Sequence, residues 1–398
     1  MKRIFLTAIG ISILLLNLKA QSQLPDSTVY KSRKLQLEEI NLVSSYYVQN
    51  GDHAAVTGGI GTQKLHDIAN TVEVNLIRYN RHAAKQSLAI SLGIDYYTSA
   101  SSDMIDLQAN SSASHADLRI YPSIYFSSTN EIKGTTLSAG ISTSSESDYE
   151  SKGATIDFAK KTKNKSGEFT LKSQIYLDQV SIIKPFELRS SNPRDYYHYS
   201  TKPRNTFSLS LSYSQVVNQR LQFMLLVDLV QQNGYLSLPF YRVYFKDSTV
   251  HMETLPNSRF KIPLGIRLNY FAGDKVIVRT YYRFYRDDWG VNAHTAEVEF
   301  ALKITPFFSV SPFYRFYKQT ATFYFAAYRT HDSSDHYYTC NYDFSRFNSN
   351  FFGVGLQLKP TKGIFRNKHF SALAVRYGHY EKNVQLNSDI ISLNLGFK

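Results

Sequence analysis

Residues 258–303 read SRFKIPLGIRLNYF, AGD, KVIVRTYYRFYRDDWG and VNAHTAEVEFALK. In the first limb Phe260, Ile262, Leu264, Ile266, Leu268 and Tyr270 share one parity, and Lys261, Gly265, Arg267 and Asn269 share the other. Successive side chains of a strand point to opposite faces, so one face is apolar and the other charged. The limbs run to roughly 11–14 residues, against about 5–6 for ordinary globular strands. Very short turns alternate with long connections, and aromatics gather at limb ends, as in Tyr281-Tyr282-Arg283-Phe284-Tyr285. Together these features predict a transmembrane β-barrel, with apolar side chains toward lipid, polar ones toward the lumen and aromatic girdles at the interfaces.

The bulk numbers agree with that reading. The 398 residues are 43% hydrophobic and 14% aromatic, with 30 Tyr and 26 Phe. Mean hydropathy is slightly polar, −0.31, which argues against a helical membrane protein. A barrel needs no long apolar run, because only alternate residues meet lipid. Met1–Ala20 reads as a secretory signal peptide: Lys2 and Arg3, then an apolar centre, then Leu18-Lys19-Ala20. Residues 21–37 read as a periplasmic lead and 38–398 as the barrel. Losing Lys2, Arg3 and Lys19 lowers the formal charge of +13 by three, to +10. These charges sit singly within strands and turns, so no nucleic-acid partner is expected. Cys340 is the only cysteine, which excludes an internal disulfide and any CxxC motif.

Outside the opening stretch, alternation predicts strands at Glu38–Gln49, Thr71–Asn80, Ser87–Tyr97, Asp117–Ser128, Thr135–Ser145, Tyr149–Lys161, Glu168–Val180, Asn205–Val217 and Leu221–Tyr235. Four strands lie in Ser258–Lys318. Three more follow at Asn350–Lys359, His369–Tyr380 and Asp389–Lys398. The sum is an all-β, antiparallel barrel of about sixteen strands, with fourteen to eighteen compatible with the same pattern. An even count puts both termini in the periplasm and the long connections outside. The loop 236–257 has room for a small hairpin. Ile391, Leu393, Leu395 and Phe397 share one face of the last strand. That ending is similar to the signal by which outer-membrane barrels engage their insertion machinery.

Parity also sorts the charges. Lys261, Arg267, Arg279, Arg283, Arg315 and Arg376 form a candidate basic wall of the lumen. Asp95, Asp157, Asp178 and Asp228 form a candidate acidic wall, with Arg119, Lys172, Glu73, Glu297 and Glu299 as exceptions. Walls of this kind tune which ions enter a pore; alternatively the charges simply pair across the interior. In RDDWGVNAHT, Asp287, Asp288 and His294 form a candidate external cluster with oxygen and imidazole ligands suited to a divalent cation. The alternative there is a polar turn with Trp289 in the outer girdle. TGGIG at 57–61 lacks the lysine and helix of a phosphate loop and reads as a flexible or close-packed external segment. No cofactor is expected, and no spacing selects a catalytic triad.

The segments AVTGGIGTQKLHD, RFKIPLGIRLNYF, YYRFYRDDWGVNAHT and ITPFFSVSPFYRFY resemble those of a family of exported proteins defined only as a domain of unknown function. The resemblance implies an outer-membrane barrel and, in some members, proximity to envelope redox proteins. It carries over no functional residue. The expected function is passage of small solutes across the outer membrane of a Gram-negative cell. The alternative is a non-enzymatic scaffold that sheathes or docks an envelope partner, and an outer-membrane hydrolase is third.

Overall fold

The computed structural model describes residues 34–98, 116–189 and 199–398. The predicted signal peptide, most of the periplasmic lead and the Ser-rich loop at 99–114 lie outside them. The strands are β1 (Gln36–Gly51), β2 (Leu65–Tyr79), β3 (Lys85–Thr98), β4 (Ala116–Asn130), β5 (Thr135–Ser145), β6 (Tyr149–Lys161), β7 (Gly167–Ser181), β8 (Thr201–Asn218), β9 (Leu221–Gly234), β10 (Arg242–Tyr244), β11 (Val250–Met252), β12 (Ser258–Ala272), β13 (Val276–Asp287), β14 (Asn292–Lys303), β15 (Phe308–Gln319), β16 (Phe347–Leu358), β17 (Phe370–Lys382) and β18 (Leu386–Phe397).

Sixteen of these form one closed antiparallel barrel in sequence order, and β10 and β11 make a separate hairpin within one connection. Closure comes from β18, which pairs with β17 on one side and β1 on the other, Leu42 opposite Leu395 and Tyr46 opposite Ile391. Closure matters because an unpaired strand edge has no water to satisfy it inside a bilayer.

The outer face carries the apolar parity. Leu92, Ile94 and Tyr96 of β3, Leu264, Leu268 and Tyr270 of β12, and Ile391 and Leu393 of β18 are all exposed. Apolar side chains exposed around a closed sheet are what lipid requires, and the chain is an outer-membrane barrel on that ground. Short turns such as Gly273–Lys275 lie at the end where β1 begins and β18 finishes, and the connections 52–64, 235–257 and 320–346 lie at the other, which also carries tight hairpins at 146–148, 288–291 and 383–385.

Several strands extend beyond their predicted ends on the long-loop side. β2 starts at Leu65, β8 at Thr201 and β14 at Asn292. The added residues (LHDIAN, TKPR, NAHT) are polar and hide the alternation, yet they pair: His66 lies opposite Val48 and Asp67 opposite Tyr97.

Candidate functional site

Register turns the sequence pattern into rows across the lumen wall. One row runs Arg267–Tyr281–Glu297–Arg315–Phe351–Tyr380 from β12 to β17. The next row outward runs Gly265–Arg283–Thr295–Tyr317–Ser349–Lys382. These residues have the parity opposite to the exposed apolar set. The motif YYRFY at 281–285 and its near copy FYRFY at 313–317 are therefore split. Tyr282, Tyr314 and Phe316 face outward and are exposed, whereas Tyr281, Arg283 and Tyr285 face inward. The sequence reading set Arg283 toward the lumen but grouped the four aromatics around it in one girdle. Strand alternation forbids that.

Four of the five arginines of the basic wall lie near an aromatic ring, Arg279 being the exception among the described contacts. Arg267 sits 4.9 Å from the Tyr281 centroid, Arg283 6.0 Å from Tyr285, Arg315 5.5 Å from Phe351 and Arg376 3.8 Å from Phe313. Three of the five have carboxylates. Glu299 accepts from Arg279 at 2.6 Å and from Arg376 at 3.0 Å, and Glu297 accepts from Arg315 at 2.6 Å. Arg267 and Arg283 have no ion-pair partner among the described residues, nor has Lys261. Arg259, of the same parity as Lys261, was missed in the sequence. It bonds Asp287 at 2.5 Å and lies 4.5 Å over Trp289. Its signal was available: it stands two residues before Lys261 on the polar face.

The opposite side of the lumen is acidic and tyrosine-rich. Asp95 accepts from Tyr121 at 2.8 Å, Asp157 from Tyr125 and Asp178 from Tyr149. Asp228 lies opposite Ser210 on β8. The exceptions sit among them: Lys172 opposite Asp157, Arg119 opposite Asp95, and Glu73 accepting from Asn75 at 2.7 Å. Asp117, Glu146 and Asp148 bring carboxylate oxygens within 4.8 Å of one another near the outer rim. Asp117 there accepts from Ser147 at 2.7 Å, and Glu146 from Tyr97 at 2.7 Å.

The described parts of the connections 52–64, 182–189, 235–257 and 320–346 fold together at the outer mouth. Arg242 on β10, 3% exposed, bonds the Glu187 carboxylate and the Val56 carbonyl, at 2.8 Å for the latter. Val243, Phe245 and Cys340 form a small core with Tyr338 against it, and burial pushes the Cys340 thiol up to about 12. His53 stacks on Tyr342 at 3.8 Å. The glycines of TGGIG make that packing possible: Gly58 and Gly59 have positive φ. A Cβ on Gly58 would meet the Tyr244 ring at 2.5 Å, and one on Gly59 the Cys340 carbonyl at 2.7 Å. Glu253 is buried in this cap, accepting from Thr339 at 2.5 Å and Leu238 N at 2.7 Å, and desolvation raises its carboxyl to about 7.

The cap dips into the barrel. Residues 342–344 form a single 3-10 turn, whose Asp343 bonds Lys382 of β17 at 2.5 Å and whose Phe344 lies 5.3 Å from Arg259. Below it lies a chamber of about 750 Å³, lined by Arg267, Arg283, Arg315, Tyr317, Phe351 and Tyr380 among others.

The structure does not bring Asp287, Asp288 and His294 together. Asp287 faces the lumen, fully buried, and accepts from Arg259, Tyr285, Trp289 N and Val291 N. His294 has the outward parity and accepts or donates at 2.7 Å to the exposed Tyr282 hydroxyl. Trp289 is not in the girdle either. The hairpin tip folds inward, leaving the indole 2% exposed with its N–H on the Ser258 carbonyl at 2.9 Å.

The family model described as "Protein of unknown function (DUF3570)" matches residues 113–396. The chain belongs to that family. No curated protein matches this DUF3570 member. Among solved structures it is similar to OccD3 (OpdP) of Pseudomonas aeruginosa, at 9% identity over 91% of each chain and a TM-score of 0.46. It is similar to OpdK with vanillate, from the same organism, at 8% identity over 90% of this chain and 98% of that one, TM-score 0.43. It is also similar to the siderophore receptor PirA of Acinetobacter baumannii, at 10% identity over 88% of this chain and 54% of that one, TM-score 0.47. The closed ladder of sixteen strands, not these likenesses, establishes the DUF3570 barrel.

Proposed function

We propose that this protein is an outer-membrane channel for small solutes, capped at its outer mouth, with a mild preference for anions. The observation that carries the reading is the chamber of about 750 Å³ between the lumen wall and the Tyr342–Phe344 turn. Barrels of about 16–18 strands are wide enough for an aqueous path, and here loops narrow that path.

Charge accounting supports the preference. Glu297 and Glu299 offset Arg315, Arg279 and Arg376 in part, and Asp287 offsets Arg259. Lys261, Arg267 and Arg283, with the one charge left where two glutamates face three arginines, make a local excess of four on this wall. Salt screens such an excess over about 8–10 Å, so it acts only where the cap and wall hold the path narrow. In planar bilayers the refolded protein should give discrete conductance steps. A folded barrel that never conducts would overturn the channel.

The interlocked cap favours a second reading, a scaffold whose outer surface docks an envelope partner. It predicts a silent barrel in bilayers. In either case we infer that Ile391, Leu393, Leu395 and Phe397 present the chain to the insertion machinery. Before closure β18 has a free edge, and afterwards Phe397 stacks on Phe370 at 5.1 Å.

A further inference from the structure

We propose that the lumen chamber is a binding site for a planar organic anion, an aromatic or conjugated carboxylate. The inference deepens the channel reading and rests on it for delivery of the ligand.

Two guanidiniums define the site. Arg283 stands opposite Gly265, and Arg267 two residues along the same strand, so the pair is diagonal on one face of adjacent strands. Diagonal positions lie about 7–8 Å apart, a spacing that one carboxylate-bearing ligand spans. Gly265 puts no side chain over Arg283. Tyr281 and Tyr285 lie against the two guanidiniums, at 4.9 and 6.0 Å, and limit their freedom. The neighbouring cations are occupied: Arg315 by Glu297, and Lys382 by the roof residue Asp343. Arg267 is exposed and Arg283 half-buried in the lumen, so both guanidiniums are open to a ligand carboxylate, which their planar forks can hold through bidentate bonds.

The rest of the chamber suits a flat apolar body. Phe347, Phe351 and Tyr380 line the same cavity as Arg267 and Arg283. Offset stacking on such rings favours a conjugated ligand over a compact inorganic ion. A cavity near 750 Å³ falls within the range of about 300–1,000 Å³ usual for small-molecule sites.

Calorimetric titration of the refolded barrel in detergent tests this, with benzoate, benzyl alcohol and benzylammonium as probes. Benzoate should bind at least about tenfold more tightly than either of the others, and Arg267→Gln with Arg283→Gln should abolish the difference. If the double variant does not fold, each single Gln variant should weaken benzoate severalfold, with Arg283→Lys between wild type and Gln. Equal binding of benzoate and benzyl alcohol would overturn the site, as would benzoate affinity unchanged in folded variants. Conductance separates the two readings. Benzoate binding by a non-conducting barrel keeps the site and sinks the channel. Conductance without benzoate binding does the reverse.

Discussion

Arg376 on β17 bonds Glu299 on β14 at 3.0 Å although β15 and β16 run between them. The reach depends on what lies beneath it. Gly355 faces Arg376 on β16, where a Cβ would stand 3.6 Å from Nη1, and the Phe313 ring on β15 lies 3.8 Å below the guanidinium. Glu299 also holds Arg279, so one carboxylate braces the wall from β13 to β17. Glu299→Gln should lower stability by about 1–3 kcal/mol. Arg376→Gln should cost less, because Arg279 remains paired. Urea unfolding in lipid vesicles measures both, and equal or reversed costs would refute the brace.

The two faces can be told apart one residue at a time. Leu209 is exposed on the lipid side, and Ser210 lies between Lys172 and Asp228 on the lumen side. Leu209→Arg should cost roughly 2–4 kcal/mol near the membrane midplane. Ser210→Arg should fold nearly normally, because Asp228 can take the new charge. Similar folding yields in vesicles would show the register to be wrong.

The cap should tighten in acid. Burial raises the Glu253 carboxyl from 4.5 to about 7, so the folded cap holds this proton more firmly than the opened one. Cap stability then falls as pH rises from 4.5 to 7 and stays low above that. Glu253 and Trp289, the only tryptophan, line one cavity. Acrylamide should therefore quench Trp289 less at pH 5.5 than at pH 8, and Glu253→Gln should remove the difference. Quenching independent of pH in the wild type would count against it.

Packing of the TGGIG segment offers a further check. Gly58→Val forces a branched side chain into a positive-φ position with the Tyr244 ring 2.5 Å from its Cβ. Arg329, whose N–H bonds the Tyr244 carbonyl at 3.1 Å, should then be cut by trypsin severalfold faster while the barrel stays intact. An unchanged cleavage rate would mean the segment does not hold the cap.

The barrel was legible because alternation is local: Phe207, Leu209 and Leu211 against Ser208, Ser210 and Ser212 declare a strand without any partner. Strand ends such as His66 and Asn292 were not, since polar residues erase the period where the wall leaves the bilayer. Of the cap, the hairpin within 236–257 was legible, but the contacts that lock it were not. Arg242 meets Glu187 and Val56, and Glu253 meets Thr339, across separations that no periodicity encodes. The candidate cluster at Asp287, Asp288 and His294 failed for a parity reason, because proximity in sequence set two of its members on opposite faces. Arg259 obeyed the parity rule but lay at the margin of the apolar run, where it was overlooked.

Reversal potential in a planar bilayer with a salt gradient tests the central claim, a conducting lumen biased by unpaired cations. The wild type should favour anions mildly, and Arg267→Glu with Arg283→Glu should shift the potential toward cations by reversing the local charge. A conducting wild type whose reversal potential does not move in the folded double variant would contradict the account.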